Sequence, residues 1–172
     1  QLPLSANYTY STGTSGSLST DMNGNPIDMT TQTSLGAPAL SQTLATLDIG
    51  FDFYFMGTRY TQHTPTVRGV STLGWVIAGA AIPNYNTAYT APVLHPFWAA
   101  AGFNTGAGPN LRTKVVGTAP NRCMVFEWRT TMVGSFNGNP PTSPGGNTPD
   151  FIYQMRLYET TGAIEYVYGQ MQ

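Results

Sequence analysis

The sequence has little charge. Asp, Glu, Lys and Arg make up only 9% of the residues, whereas about 25% is usual for a soluble domain. Lys114 is the only lysine, and the formal net charge is -1. A chain without a basic stripe cannot neutralise a row of phosphates, so nucleic acid is excluded as an expected partner. A nearly neutral surface rich in hydroxyl and amide groups repels its own copies only weakly.

Cysteine is almost absent. Cys123 is the single cysteine, so no internal disulfide forms. Zinc and iron–sulfur sites need several thiolate or imidazole ligands, and only His63 and His95 accompany this thiol. We therefore expect no cofactor. Cys123 lies in the alternating run 122–128, where one face of a strand is buried, and this position predicts a core thiol.

Long apolar runs are also missing. No stretch approaches the roughly 20 apolar residues of a membrane-spanning helix, so no membrane span is expected. The chain begins at Gln1 rather than Met, which we interpret as a mature product whose leader has been removed. Together with the low charge, this predicts a secreted protein, extracellular or at the cell surface.

Strand patterns dominate what is present. In residues 48–56, Ile49, Phe51, Phe53 and Phe55 alternate with polar or small residues, which indicates a half-buried strand. Met56-Gly57 then predicts a hairpin with residues 58–61. No window has a sustained helical period. The other predicted strands span residues 67–70, 74–77, 111–116, 123–132, 151–158 and 163–168. Residues 117–121 and 160–162 are predicted to connect antiparallel pairs.

These patterns predict one domain over residues 1–172. We expect an all-β fold, a two-sheet antiparallel β-sandwich of the jelly-roll kind with long loops. The longest loops are residues 78–110 and 136–150, which are rich in Pro, Gly and Asn. Alternation is weak up to Gln42, so this stretch is either strands of the domain or an arm. Residues 1–11 are a candidate N-terminal arm or donated strand.

The strand and turn motifs resemble a known kind of module. They include Gly-Thr-Ala-Pro-Asn at 117–121, the run 154–169, Phe-Tyr-Phe-Met-Gly at 53–57 and Pro-Phe-Trp at 96–98. Over most of the chain they resemble a β-sandwich module of secreted, adhesin-like surface proteins of Bacteroidota, often exported by the type IX route. The resemblance implies an accessory or adhesion-type unit and no active site. Relatives commonly have acidic residues after Pro-Phe-Trp, whereas this chain has Ala99 and Ala100, so any role of those acids is not carried over.

Residues able to support catalysis are few. His63 and His95 both lie beside prolines in predicted turns, and no Gly-x-Ser-x-Gly motif is present. Glycoside hydrolysis would need two carboxylates across a cleft. The candidate acids instead lie on strands near arginines, which predicts outward-facing ion pairs and no enzyme. The residues concerned are Glu127, Glu159 and Glu165 with Arg122, Arg129 and Arg156.

One segment resembles part of a calcium loop. Asp21, Asn23, Asn25 and Asp28 place side-chain oxygens at positions 1, 3, 5 and 8. The final Glu is missing, and Pro26 stands where such a loop needs Gly. Because Asn-Gly-Asn-Pro is itself a turn signal, we favour a turn over a metal site.

Aromatic and amide side chains near the long loops are the candidates for binding or assembly. Stacking aromatics and amide hydrogen-bond partners are typical of sugar-binding surfaces. For the two tryptophans of this set, a place in the core is the favoured alternative. The set consists of Trp75, Tyr85, Tyr89, Trp98, Asn137, Asn139 and Asn147.

Two functions follow as hypotheses. The first is a non-catalytic structural protein that binds copies of itself in a surface filament, sheath or layer, with residues 1–11 passed between copies. The second is an adhesin or lectin-like module that binds glycans or a host or cell surface.

Overall fold

The architecture comes from a computed structural model, which describes residues 8–32, 44–60, 67–71, 75–78, 93–94, 96, 102–103, 110–130, 132–133 and 151–171. Within these ranges the chain forms strands, turns and irregular segments, and no α-helix. The strands are β1 Leu44–Leu47, β2 Phe53–Phe55, β3 Thr58–Tyr60, β4 Val67–Ser71, β5 Trp75–Ala78, β6 Val93–Leu94, β7 Gly102–Phe103, β8 Asn110–Val116, β9 Cys123–Thr130, β10 Met132–Val133, β11 Phe151–Tyr158 and β12 Ile164–Met171.

Two four-stranded antiparallel sheets form the architecture. The main sheet has the order β12-β11-β9-β8, and the second sheet has the order β1-β4-β5-β6. Two short pairs, β2 with β3 and β7 with β10, complete the described pairing. The predicted all-β antiparallel sandwich is confirmed.

Most predicted strands match observed ones. The terminal hairpin of β11 and β12 turns at residues 159–163, with Gly162 at a φ of 64°. The prediction of one strand over residues 123–132 was too long, because β9 ends at Thr130 and β10 pairs separately with β7. The sequence reading missed β1, β6 and β7, of which β6 and β7 have only two residues each.

The aromatic run packs as predicted. Ile49, Phe51, Phe53 and Phe55 are all buried. The β2–β3 hairpin turns at Met56 and Gly57, whose φ angles are 49° and 77°. Positive φ at both central positions is the geometry of a two-residue hairpin turn whose twist matches the strands. The run therefore contributes one apolar face and a hairpin that closes over it.

The main core lies on one face of the main sheet. Met124, Phe126 and Trp128 of β9 and the alternate residues of β11 pack against the aromatic run and Leu94 of the second sheet. The Trp128 and Tyr153 rings stack with centroids 5.2 Å apart and an interplanar angle of 12°. Each large apolar side chain buried in this way contributes roughly 1.5–3 kcal/mol.

The N-terminal segment, defined here as residues 8–32, lies on the opposite side of the main sheet. Its ladder pairing within that range is a single bridge between Thr20 and Pro26. Near its start, the Tyr8 ring packs 6.1 Å from the Phe55 ring. The Met56 N–H donates to the Tyr8 hydroxyl at 3.0 Å. The predicted arm over residues 1–11 is described from Tyr8 onward, and there it contacts the β2–β3 hairpin of its own chain.

Among the described residues there is no helix with the length and apolar character needed to cross a membrane.

Candidate functional site

The face of the main sheet that points away from the main core carries polar side chains. Gln154 of β11 lies opposite Glu127 of β9, and Arg156 lies opposite Glu165 of β12. Because side chains alternate along a strand, these residues project to the same side. Glu127, Gln154 and Arg156 are 2%, 0% and 1% exposed. A polar row therefore lies buried across three strands.

The row is joined by hydrogen bonds from end to end, and we call it the polar ladder. Arg129 Nε donates to Glu127 Oε1 at 2.7 Å. Gln154 Nε2 donates to Glu127 Oε2 at 2.7 Å. Arg156 Nε donates to Gln154 Oε1 at 2.9 Å. Arg156 Nη1 donates to Glu165 Oε2 at 3.1 Å. The two buried charges are therefore both paired and hydrogen-bonded, which burial requires.

The polar ladder binds the main chain of the N-terminal segment. Gln154 Nε2 donates to the carbonyl of Leu18 at 2.9 Å. Arg156 Nη1 donates to the carbonyl of Thr20 at 3.0 Å, and Arg156 Nη2 donates to that of Ser17. Hydrogen bonds from a charged guanidinium are stronger than neutral ones. They hold an irregular segment that lacks strand pairing to the sheet.

Two basic residues of β8 extend this arrangement. Arg112 Nη1 donates to the carbonyl of Met29 at 2.7 Å and to that of Thr30 at 3.3 Å. Lys114 Nζ donates to the carbonyl of Asp28 at 2.9 Å. From β12 to β8, the main sheet thus binds the N-terminal segment through its backbone carbonyls.

Apolar contacts and one tyrosine complete the docking. A second buried cluster joins Ile27 and Met29 of the segment to Val116, Cys123, Val125 and Tyr158 of the main sheet. The Tyr158 hydroxyl donates to Glu165 Oε2 at 2.7 Å and accepts the Met22 N–H at 3.1 Å. Burial is the main cause that raises the pKa of Tyr158, so this hydroxyl stays protonated and remains a donor.

Glycines allow close approach at the β12 end. Leu18 lies against Gly169, where an added Cβ would overlap Leu18 Cδ1 and lie 3.1 Å from the Ile152 carbonyl oxygen. An added Cβ at Gly16 would lie 3.3 Å from Val167 Cγ1. The segment and β12 therefore fit each other closely at these positions.

The predicted ion pairs form, but not all of them face solvent. Arg122 Nε and Nη2 bind Glu159 at 2.8 Å and 2.6 Å, a bidentate pair that holds the pKa of Glu159 below its usual value. Arg129 pairs with Glu127, and Arg156 pairs with Glu165. The expected outward orientation was wrong for Glu127 and Arg156, because the N-terminal segment covers them.

The calcium-like stretch forms turns in which both aspartates accept local hydrogen bonds. Asp21 Oδ1 accepts the backbone N–H groups of Asn23 at 2.9 Å and Asn25 at 2.7 Å, while Oδ2 accepts Asn25 Nδ2 at 2.9 Å. Asp28 Oδ1 accepts the Thr30 N–H at 2.9 Å and the Thr30 hydroxyl at 2.6 Å. These bonds from Thr30 lower the pKa of Asp28. The predicted turn is confirmed.

Histidine, cysteine and acidic side chains do not gather in threes anywhere in the part of the chain that the structure describes. Cys123 is fully buried, as predicted, and burial is the main cause that raises its pKa to about 12.

The binding and assembly candidates chosen from the sequence fall elsewhere. Trp75 begins β5, and its side chain lies outside the described part. Both histidines and the remaining candidates lie outside the described residues altogether; these candidates are Tyr85, Tyr89, Trp98, Asn137, Asn139 and Asn147. Their proposed roles stay predictions.

Sequence reasoning missed the polar ladder as a docking surface. Its signal was present, since Glu127 and Arg129 alternate with apolar residues on β9, as do Gln154 and Arg156 on β11. Such long polar side chains on adjacent strands suit either solvent or a bound backbone, and alternation does not distinguish the two.

Fold and site together define an antiparallel β-sandwich module whose outer face is covered by its own N-terminal segment. The chain belongs to the NIDO-related family, because the family model described as "NIDO related" matches residues 7–172. NIDO is an extracellular domain, and membership therefore indicates an extracellular module. No curated protein and no solved structure gives a significant match to the chain.

Proposed function

We propose that this protein is a non-catalytic structural subunit that associates with copies of itself in an extracellular filament, sheath or layer. The observation that carries the proposal is that the described charged side chains are bound within the chain. Surfaces of hydroxyl, amide and aromatic groups then face other molecules.

The acidic side chains provide the first half of this observation. Asp21 and Asp28 accept bonds in turns, and Asp48 Oδ1 accepts the Gly50 N–H at 2.8 Å. Asp52 accepts from Arg59, and each glutamate of the described part pairs with an arginine. A carboxylate that is committed to a structural bond is a poor general acid or base, which supports the non-catalytic part of the proposal.

The basic side chains provide the second half. Arg112 and Lys114 bind backbone carbonyls of the N-terminal segment. Arg122 binds Glu159 and also donates to the Gly50 carbonyl at 2.9 Å. Copies with so little uncompensated charge repel one another weakly, which favours close packing.

The surface location draws on the family as well. An extracellular module suits a subunit that assembles outside the cell. The resemblance to Bacteroidota surface modules supports a cell-surface origin, with type IX export as part of the proposal.

A glycan-binding adhesin is the second candidate. It is favoured by exposed tyrosines, because Tyr10 is 88% and Tyr168 is 48% exposed. Tyrosine rings stack on sugars and their hydroxyls form hydrogen bonds. The two candidates differ in whether a ligand is needed.

Negative-stain imaging of the purified chain, combined with a glycan array, separates them. The structural proposal predicts particles that lengthen with protein concentration in the absence of sugar. Monomers at high concentration with sugar-specific binding would contradict it and support the adhesin.

A further inference from the structure

The contacts that hold the N-terminal segment are of a kind that any copy of the chain can supply. The main sheet binds the carbonyls of Ser17, Leu18 and Thr20 at one end, and those of Asp28 and Met29 at the other. The segment has no long strand pairing that would tie it to the sheet, since its described ladder contact is the internal Thr20–Pro26 bridge.

The covered face also tolerates exposure better than an apolar core would. If the segment leaves, Glu127, Gln154 and Arg156 become available to water, which solvates charged and amide groups well. The lost apolar contacts are confined to Ile27, Met29 and Leu18. A state with an open face is therefore accessible without unfolding the main core on the other side of the sheet.

We propose that copies associate by exchanging residues 17–30, so that the segment of one copy binds the polar ladder of the next. This inference rests on the proposed self-association and names the surface and the partner, a second copy of the chain. An exchange that passes from copy to copy without closing produces a filament.

The fit at Gly169 gives the exchanged segment a fixed position. Leu18 occupies the space that a side chain at position 169 would fill, and Gly16 lies over Val167. A segment from another copy that made the same carbonyl bonds would place its Leu18 on the same glycine. Register is thus set by shape as well as by hydrogen bonds.

Concentration governs the balance between self-docking and exchange. A tethered segment faces its own sheet at an effective concentration in about the millimolar range. Exchange therefore competes when copies are crowded to a similar level, as they are on a surface or along a growing filament. Dilute chains keep their own segment.

The test uses two single-cysteine additions to the full chain, Leu18→Cys and Gly169→Cys. Leu18 Cγ lies 3.4 Å from the Cβ position of residue 169, close to the separation of about 3 Å between the sulfur of one cysteine and the Cβ of the other in a disulfide. Cys123 is buried and does not compete. The two variants are mixed at high concentration, oxidised mildly and digested for peptide mapping.

We expect an intermolecular bond between positions 18 and 169. It should exceed by about tenfold the yield from Gly13→Cys mixed with Gly169→Cys, because an added Cβ at Gly13 has no neighbour within 4 Å. In the double variant L18C/G169C, oxidation when dilute should close the bond within one chain and prevent assembly.

The outcomes separate this inference from the proposal on which it rests. If the unmodified chain assembles but the bond from 18 to 169 stays at the control level, exchange is wrong and self-association stands. If the oxidised double variant assembles as well as the unmodified chain, exchange is also wrong. If the unmodified chain stays monomeric under these conditions, both ideas fail.

Discussion

Leu18 lies directly over Gly169, with its Cδ1 in the place that a Cβ at position 169 would need. The glycine is therefore required by an approach from another part of the chain rather than by a turn. It marks the point at which the N-terminal segment is held most closely to β12.

Gly169→Ala should loosen this contact. The added methyl group overlaps Leu18, while the Ile152 carbonyl at 3.1 Å limits movement on the other side. Overpacking of this kind costs about 1–3 kcal/mol, measured as a fall in the free energy of unfolding in urea. Gly13→Ala is the matched control, because nothing lies near its Cβ position. Equal unfolding midpoints for the two variants would show that Leu18 does not pack on Gly169.

Arg156→Met should destabilise the chain more strongly. The change leaves Gln154, Glu165 and the bound carbonyls without their donor in a buried place. Breaking a buried pair by removing one partner costs about 3–5 kcal/mol. Urea unfolding measures the loss, and Arg59→Met is the control, since the Arg59–Asp52 pair is exposed and should matter little. A similar small effect for both changes would remove the polar ladder from the account.

Acid should weaken the Arg122–Glu159 pair. Hydrogen bonds from Arg122 lower the pKa of Glu159 in the folded chain from its ordinary value of 4.5. The unfolded chain takes up this proton first, so the stabilisation is complete above the ordinary value and is lost as pH falls through the lowered one. The stability gap between the unchanged chain and Glu159→Gln should thus shrink from about pH 7 to about pH 2.5. A constant gap would contradict this pairing.

The Cys123 thiol should be inert until the chain unfolds. It is fully buried, and burial raises its pKa to about 12. Near pH 8 an alkylating reagent should therefore label it only in urea, because the thiolate is the reactive form. Mass spectrometry of folded and unfolded samples checks this. Rapid labelling of the folded chain would show that the second buried cluster is open.

The strands of the main sheet could be predicted because each carries a strong alternating pattern. Phe126 and Trp128 on β9, and Tyr153 and Met155 on β11, are large apolar residues at every second position. They are buried together on one face. In a sheet with one core face, that pattern fixes both the strand and its orientation.

The cover over the second face could not be predicted in the same way. Residues 8–32 have few apolar side chains, and the segment is held mainly by bonds to carbonyl groups, which every residue has. Alternation therefore indicated solvent around Glu127 and Arg156. Ile27 and Met29, two apolar residues two positions apart, were the local sign that this stretch packs against something.

Sedimentation velocity of the purified chain over a range of concentrations tests the central claim most directly. Self-association should appear without ligand. It should change by less than about twofold between about 50 mM and about 500 mM salt, because screening has little effect where charges are already compensated. A single monomer boundary at every concentration would contradict the account, and so would association that disappears in high salt.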